Sequence, residues 1–189
     1  MYHKLLTDPT FHALLKAIDD DLAEISRKAT CSECAGALHQ SNYPRTPFGL
    51  PTSCRGYYAT RRSFCCGGCR KRFTSPSVRF FGRHRFPAAV IVLLSFLRGG
   101  VTAFSLNQVR RYFGITVSKR TGRRWRRWWR ECFMRTPFWR QAKGILPIEC
   151  LNDLYPRSFL RAYSGAFKVK LVRILQFLAP LTAGIYRAV

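Results

Sequence analysis

Two closely spaced pairs of cysteines place the strongest constraint on how this chain folds. Cys31 and Cys34 form one C-x-x-C pair, and Cys66 and Cys69 form a second after 31 intervening residues. Each C-x-x-C supplies two thiolates from one tight turn, and four thiolates complete the tetrahedral coordination of Zn²⁺. Glycines next to the first pair and inside the second leave backbone N–H groups free to bond the sulfur atoms. The spacing therefore predicts one structural zinc ion held by these four cysteines.

Disulfide bonds and a redox-active C-x-x-C are the alternatives to a metal site. No secretion signal is expected, and the cysteines are spaced in pairs, which disfavours disulfides. Neither pair opens a helix in a thioredoxin-like context, which disfavours redox chemistry. Cys65 directly precedes Cys66 and could replace it as a ligand, although Cys66 gives the regular spacing. The cysteines without a partner pattern are expected to be buried as small apolar side chains; these are Cys54, Cys132 and Cys150.

The positive charge of the chain is concentrated in its middle. The 189 residues carry 33 Lys and Arg against 9 Asp and Glu, a formal net charge of +24. Residues 55–145 contain 22 of the basic residues and a single acid, Glu131, whereas residues 1–54 hold five basic and six acidic residues. A chain with such an excess of one sign needs a counter-charged partner. A nucleic acid is the first candidate and an acidic membrane surface the second, with the contact surface expected in residues 55–145.

Hydrophobic patterning predicts a mainly helical fold interrupted by one small β-rich module. Hydrophobic residues make up 47% of the chain, too many for a disordered basic tail. An amphipathic helix is predicted at about residues 9–28, with His12, Leu15, Ile18, Leu22 and Ile25 on its apolar side and the acids 19–21 opposite. Residues 30–77, rich in Cys, Gly and Pro, predict a zinc ribbon with hairpins. Further helices are predicted at residues 87–97, 105–113, 118–134 and 157–179.

These elements define four predicted regions. They are an N-terminal amphipathic helix (1–29), the zinc ribbon (30–77), a helix-turn-helix domain (78–135) and a C-terminal packing or oligomerisation region (136–189). The last region has an apolar side formed by Phe167, Leu171, Ile174, Leu175 and Leu178. A packing or dimerising helix is preferred there over a membrane-surface helix. No membrane span is expected, because the longest apolar run, residues 88–97, is about half the length that a span needs.

Residues 105–134 have the pattern of a helix-turn-helix. Leu106, Val109 and Phe113 line a short helix, Gly114 suits a sharp turn, and Ser118 is a candidate N-cap for a longer helix. One side of that longer helix carries Thr121, Trp125, Trp128, Trp129 and Cys132, which are expected to pack into the core. Stacking of the tryptophans on unpaired bases is the alternative. The opposite side carries only cations. In a helix-turn-helix, the second helix enters the major groove, where Arg binds guanine and other cations neutralise phosphates.

The predicted DNA-contacting residues fall into two sets. Those of the second helix are Ser118, Lys119, Arg120, Arg123, Arg124, Arg127 and Arg130. Phosphate contacts or a minor-groove arm are expected from the basic residues between the ribbon and the helices, namely Arg70, Lys71, Arg72, Arg79, Arg83 and Arg85. His84, which lies among them, is expected to be a surface residue and not a metal ligand or base.

The order of these motifs resembles one known family. A C-x-x-C pair is followed by an aromatic-rich hairpin, the segment F-C-C-G-G-C-R-K-R-F at residues 64–73, and a helix-turn-helix. This order resembles the DNA-binding module of insertion-sequence transposases and their small stand-alone proteins of the insertion-sequence A type, over residues 31–134. The resemblance implies that the four paired cysteines bind zinc and that the helix at residues 118–130 binds element ends or a promoter.

The sequence therefore predicts a zinc-stabilised protein that binds double-stranded DNA, as an accessory factor or regulator of a mobile element. Only Glu131, Glu149 and Asp153 lie after residue 33, so the spaced acids of a two-metal transposase or nuclease are missing, and no catalytic activity is expected. The alternatives are an RNA- or ribonucleoprotein-binding zinc module and a compact recombinase or nuclease that uses Tyr or His. A homodimer and a separately encoded transposase are further candidate partners. The expected location is the nucleoid in a prokaryotic cytoplasm.

Overall fold

The computed structural model describes residues 2–82, 84–96, 102–113, 115–146 and 157–183. Within them the protein is mainly helical, with a small antiparallel sheet, as the sequence predicts. Five residues singled out in the sequence lie outside the described residues; these are Arg83, Gly114, Glu149, Cys150 and Asp153.

The N-terminal helix has the predicted bounds but a different buried side. A short 3-10 helix, Tyr2–Thr7, precedes helix α1, Pro9–Lys28. The Asp8 carboxylate caps α1 by accepting a hydrogen bond of 2.9 Å from the Thr10 N–H. Its buried residues are Phe11, His12, Leu15, Asp19 and Ala23, whereas Ile25 is 68% exposed. The prediction that Asp19 lies on the exposed side with the other acids is wrong. The prediction that Ile25 lies on the buried apolar side is wrong as well.

Asp19 is buried because three donors satisfy its carboxylate. Ser77 Oγ donates at 2.5 Å, the Val78 N–H at 2.6 Å and Arg79 Nε at 2.7 Å. Both members of the Asp19–Arg79 ion pair are almost fully buried, at 1% and 3% exposure. Arg79 Nη1 also donates to the Tyr57 carbonyl. The expectation that Arg79 contacts phosphate is therefore wrong, since its guanidinium is committed to buried partners.

Other buried hydrogen bonds converge on the same segment, residues 75–79. The Ser77 N–H donates to Thr182 Oγ1 at 2.8 Å, and Arg61 donates to the Ser75 carbonyl at 2.6 Å. A separate pair of buried hydrogen bonds, both of 2.9 Å, joins the two ring nitrogens of His12 to the Tyr58 hydroxyl and to the Leu6 carbonyl. The N-terminal helix, the cysteine-containing region and the C-terminal turn are thus tied together at one crossing.

Five short strands surround the cysteine pairs. We call residues 30–77 the cysteine module. Strands β1 (Leu38–Gln40), β4 (Ser63–Cys66) and β5 (Arg72–Thr74) form a three-stranded antiparallel sheet. Strands β2 (Tyr43–Pro44) and β3 (Thr60–Arg61) form a separate antiparallel pair, and the short helix α2 (Thr52–Arg55) lies between them in sequence. The apolar cluster near these strands contains only Leu50, Cys54, Tyr58 and Phe80 as buried members.

Helices follow in the first three of the four places predicted after the module. They are α3 (Ala88–Ser95), α4 (Ala103–Phe113) and α5 (Lys119–Arg127). Every residue of α3 is buried, and the turn residues Ile115 and Val117 pack into the same core. Ser95 Oγ accepts a hydrogen bond of 2.9 Å from Trp129 Nε1, which joins α3 to the segment after α5.

The helix that begins with α5 changes its winding. It continues as a π-helix, Trp128–Cys132, and a 3-10 turn, Phe133–Arg135. The i→i+5 bonding of a π-helix widens the turn and rotates the residues that follow Trp128, so that Phe133 and not Cys132 falls on the buried side of the helix. Phe133 is fully buried and its ring centre is 4.9 Å from that of Trp129, whereas Cys132 is exposed. The expected burial of Cys132 is therefore wrong.

The C-terminal region completes the main core. A capped helix that the sequence did not predict, α6 (Pro137–Ala142), is followed among the described residues by α7 (Phe159–Ala162) and α8 (Phe167–Leu178). Leu171, Ile174, Leu175 and Leu178 of α8 are buried in the cluster that also contains the buried apolar residues of α1, α3 and α5. The apolar side of this helix therefore faces the core. No helix in the described part of the chain is long and apolar enough to cross a membrane.

We expect Asp19→Asn to lower the free energy of unfolding by about 3–5 kcal/mol, because it leaves the buried Arg79 guanidinium without its counter-charge. Urea unfolding under metal-saturating conditions measures this change. Asp21→Asn is the matched control: Asp21 lies two residues away and is exposed, so its replacement should change stability by less than about 0.5 kcal/mol. Equal stabilities of the two variants would show that the buried pair does not hold the crossing together.

Candidate functional site

Cys31, Cys34, Cys66 and Cys69 come together in the structure. Their four Sγ atoms all lie within 4.8 Å of one another. Sγ of Cys31 is 3.6 Å from that of Cys69, and Sγ of Cys34 is 3.4 Å from that of Cys66. A tetrahedral ion with bonds of about 2.3 Å to sulfur separates its ligands by about 3.8 Å. The cluster therefore has the size of a four-thiolate metal site, as predicted.

The two C-x-x-C turns have equivalent backbone hydrogen bonds. In the first, the Cys31 carbonyl accepts from the Ala35 N–H at 2.8 Å, and the Cys31 N–H donates to the Gly36 carbonyl at 2.9 Å. In the second, Cys66 makes the same two bonds to Arg70 and Lys71, at 3.1 and 2.9 Å. In each turn, the backbone N–H and carbonyl of the first cysteine are therefore both hydrogen-bonded. The chain then turns back past the sulfur atoms.

The residue after each turn has a left-handed backbone. Ala35 has φ of 55° and Arg70 has φ of 62°, a conformation that residues with a Cβ rarely adopt. Gly36 follows Ala35 and approaches the sulfur atoms closely: a Cβ there would lie 3.0 Å from Cys66 Sγ and 3.3 Å from Cys34 Sγ. The two left-handed residues and the position that requires glycine therefore all lie where the chain surrounds the four sulfur atoms.

The negative charge of clustered thiolates favours a bound cation. A backbone hydrogen bond from Cys69 lowers the pKa of Cys66 to about 6, which favours its thiolate. The Lys71 N–H lowers the pKa of Cys69, but burial and the neighbouring sulfurs outweigh that effect and raise it to about 12. Four thiolates so close together repel one another unless a metal ion compensates their charge. The Glu33–Lys71 ion pair, at 2.5 Å, links the two turns across the cluster.

The remaining described cysteines do not join the cluster. Cys65 is adjacent to Cys66 in sequence, but its Sγ is oriented toward the carbonyl of Arg70, at 3.5 Å. This resolves the choice between the two in favour of Cys66. Cys54 is fully buried as predicted. No disulfide forms among the cysteines that the structure describes.

Helix α5 presents the predicted cations on its exposed side. We call the exposed residues Ser118, Lys119, Arg120, Arg123, Arg124, Arg127 and Arg130 the α5 basic surface. Ser118 caps the helix as predicted, accepting a hydrogen bond of 3.1 Å from the Thr121 N–H. The other side of the helix is fixed by Gly122 and Trp125, which are buried. Packing on one side thus holds a row of guanidinium groups in solvent on the other.

Acids neutralise little of this surface. In the described residues, the ion pair that reaches it joins Arg127 to Glu131 at 3.5 Å, and both side chains are exposed. The N-terminal acids are paired elsewhere: Asp19 with Arg79, and Asp20 with Lys16 and Arg62. Asp8 and Glu24 pair with Lys168 and with Arg27, respectively. Most of the charge of α5 is therefore not neutralised by acids within the described residues.

The second predicted set of contact residues is divided by the structure. Arg70, Lys71, Arg72 and Arg85 are exposed, Arg79 is buried, and Arg83 lies outside the described residues. Lys71 is paired with Glu33, and Arg72 donates to Ser41 Oγ at 3.0 Å. The Arg85 guanidinium lies 3.7 Å from the centre of the Phe48 ring. Two more exposed arginines, Arg110 and Arg111 on α4, were not among the predicted contacts, although both lie in the basic block of the sequence.

A loop of the cysteine module packs against the turn that leads into α5. The Phe48 N–H donates to the Arg85 carbonyl at 2.8 Å, and Arg45 donates to the His84 carbonyl at 2.7 Å. Gly49 has φ of 75°, and a Cβ there would lie 2.9 Å from Cγ2 of Ile115. Only glycine satisfies both the backbone angle and this approach. The cysteine module therefore supports the segment that positions α5.

The comparisons with known proteins identify no relative of this chain. No family model, no curated protein and no solved structure matches it. The candidate site is therefore interpreted from its own geometry, and the resemblance to insertion-sequence proteins stays a prediction.

Because Cys66 belongs to the cluster and Cys65 does not, serine substitutions at these adjacent positions should differ. We expect Cys66→Ser to weaken metal binding by more than the roughly 10–100-fold that removal of a group supporting a ligand costs. Cys65→Ser should keep the full metal content. Elemental analysis and competition with a chromogenic chelator measure both. Equal loss in the two variants would mean that the two sulfurs exchange as ligands.

Proposed function

We propose that this protein is a zinc-stabilised double-stranded DNA-binding protein that acts as an accessory factor or regulator of a mobile element. The observation that carries the proposal is the α5 basic surface. It is a capped helix whose apolar side is anchored in the core and whose cations lack acidic partners within the described residues, apart from the exposed Arg127–Glu131 pair. A helix with this arrangement suits the major groove, which admits one helix and offers guanine acceptors to arginine.

The order of α4 and α5 along the chain supports the proposal that the two act as a helix-turn-helix. In such motifs the residues at the N-terminal end of the second helix contact base edges. Here that end carries Ser118, Lys119, Arg120 and Arg123, all exposed. Exposed arginines on α4, Arg110 and Arg111, supply further charge for the phosphate backbone.

Zn²⁺ is the metal that this donor set favours. Four thiolates in a compact cluster suit a tetrahedral, redox-inert ion and leave no open position for a substrate. The role is structural, because the cluster ties together a module whose own buried apolar residues are few. Iron is the competing soft-ligand metal, and elemental analysis distinguishes the two.

The protein is proposed to have no catalytic activity of its own. Among the described residues, the four cysteines are the one group of three or more Cys, His, Asp or Glu side chains arranged to hold a metal ion. The acids Asp19 and Asp20 are engaged in ion pairs with arginines. Strand cleavage or joining by the purified chain with Mg²⁺ would contradict this part of the proposal.

Base reading by α5 is tested with single arginine substitutions on a DNA site first selected from random duplexes. Arg120→Ala and Arg123→Ala should weaken binding to the selected site by about 1–3 kcal/mol and change binding to random duplex little. Arg70→Ala should weaken binding to all sequences alike and lower the salt slope by about 1. Titrations near physiological salt measure both effects.

The control for these variants is Arg140→Ala, which removes an exposed arginine from α6 and should leave sequence preference unchanged. If Arg120→Ala and Arg123→Ala weaken selected and random duplexes equally, α5 is only an electrostatic contact and does not read sequence. Preference for structured RNA over the selected duplex at matched salt would favour an RNA-binding function instead.

Metal removal is expected to affect DNA binding indirectly. One Zn²⁺ per chain should be found in freshly purified reduced protein, and chelation should unfold residues 30–77. Because Gly49 of that module packs on Ile115 beside α5, loss of the metal should also weaken binding to the selected site. Circular dichroism and duplex titration before and after chelation, with zinc restored as control, measure this. Unchanged folding in metal-free protein would contradict a structural role.

A further inference from the structure

A cleft opens beside the N-terminal half of α5, where the cysteine module meets that helix. Its volume is about 650 Å³, within the range of pockets that hold small molecules. Three segments line it: the module contributes residues 48–50 and Arg55, the connection before α3 contributes residues 84–86, and the α4–α5 region contributes Thr116, Thr121, Arg124 and Trp125. The cleft is thus built from parts distant in sequence and brought together by the fold.

One part of the cleft is aromatic. The ring centres of Phe86 and Trp125 are 5.1 Å apart in an edge-to-face arrangement, and the Phe48 ring lies 6.1 Å from that of Phe86. Phe48 is 47% exposed, although a large apolar side chain in a folded protein is usually covered. Aromatic side chains of this kind provide stacking surfaces for planar rings, and every nucleobase has a face that can use them.

The rest of the cleft is cationic. Arg55, Arg85 and Arg124 line it, and none of them forms an ion pair among the described residues. Arg85 is held over the Phe48 ring, and Arg55 Nε donates to the Leu50 carbonyl at 3.4 Å. Guanidinium groups bind phosphate through charge and paired hydrogen bonds. Three such groups around an aromatic floor therefore match a ligand that has both a ring and a phosphate.

A buried donor at the cleft also lacks a partner. Trp125 is 3% exposed, and its Nε1 is buried without an acceptor in the described structure. Buried N–H groups are almost always paired, so an unpaired one at a cleft indicates an acceptor that the described residues do not supply. His84 lies beside Trp125, with ring centres 6.5 Å apart. Burial, with Arg124 and Arg45 nearby, lowers the pKa of His84, so near neutral pH its ring is uncharged and can both donate and accept.

We propose that this cleft binds one nucleotide unit, with the base against the aromatic side chains and the phosphate among the three arginines. The unit has two sources: a free nucleotide, or an unpaired nucleotide of a DNA molecule that is bound along α5. The second source rests on the proposed DNA-binding function, because Thr121, Arg124 and Trp125 belong both to the cleft and to α5. The first source does not depend on it.

The cleft is tested by calorimetry with three probes: deoxyadenosine monophosphate, deoxyadenosine and inorganic phosphate. The nucleotide should bind at least about tenfold more tightly than either part, since stacking of one base contributes about a factor of ten. Arg55→Gln removes a cleft cation, and Thr116→Trp fills the cleft from an exposed turn position. Each should weaken nucleotide binding at least about tenfold. Arg140→Gln, the matched loss of an arginine elsewhere, should have no effect.

The source is tested with two duplexes of the same sequence, one fully paired and one with a single unpaired nucleotide. If the cleft takes its ligand from DNA, the unpaired duplex binds more tightly and Thr116→Trp abolishes that difference without changing binding to the paired duplex. Tight binding of the free nucleotide with no difference between the duplexes assigns the cleft to a free nucleotide.

Two results would overturn the proposal: equal affinity for phosphate and nucleotide, or equal losses from Arg55→Gln and Arg140→Gln. Either result makes the cleft a general anion contact. Binding to the fully paired duplex would survive both, so the proposed DNA-binding function would stand. Conversely, if the protein binds the nucleotide but no duplex, the proposed DNA-binding function is wrong and the proposed nucleotide site in the cleft stands.

Discussion

The buried ion pair between Asp19 and Arg79 is the interaction on which the arrangement of the protein depends. It joins α1 to residues 77–79, which connect the cysteine module to the helical core. The carboxylate accepts three hydrogen bonds and the guanidinium reaches the Tyr57 carbonyl, so neither buried charge is left unsatisfied. A buried charge without its partner is strongly destabilising. The pair therefore favours the arrangement of the module against the helices in which both charges are paired.

That docking links the cysteine cluster to the basic helix. The four cysteines close the module, and a loop of the closed module lies against the turn before α5 at Gly49 and Ile115. Trp125 and Trp129 then anchor the helix from inside, with Trp129 bonded to Ser95 on the fully buried α3. The α5 basic surface is thus supported from both the module and the core, which limits its freedom to move. A rigid row of cations is better suited to recognising a fixed pattern of acceptors than a flexible one.

Local sequence signals predicted much of this structure. The spacing of the cysteines identified all four clustered sulfurs, and apolar periodicity placed α1 correctly. Ser118 was recognisable as a cap for the same reason: the signal lies within a few residues of the feature. Features that depend on distant residues were missed. Asp19 and Arg79 are 60 residues apart, and nothing local shows that each is buried by the other. At the end of the π-helix, Phe133 is buried in place of Cys132 and packs against Trp129. A prediction that assumes 100° per residue, as in a regular α-helix, cannot include this change of winding.

The central proposal is that the arginines of α5 contact an external polyanion, whereas the buried Arg61 and Arg79 are structural. Modification of arginine side chains by a dicarbonyl reagent, followed by mass spectrometry with and without a selected duplex, tests it directly. The account predicts that Arg120, Arg123 and Arg124 react rapidly in the free protein and are protected by the duplex. Buried Arg61 and Arg79 should stay unreactive throughout, and Arg140 should react equally in both states. Duplex protection confined to Arg70 and Arg72, with Arg120 and Arg123 still reactive, would contradict the account.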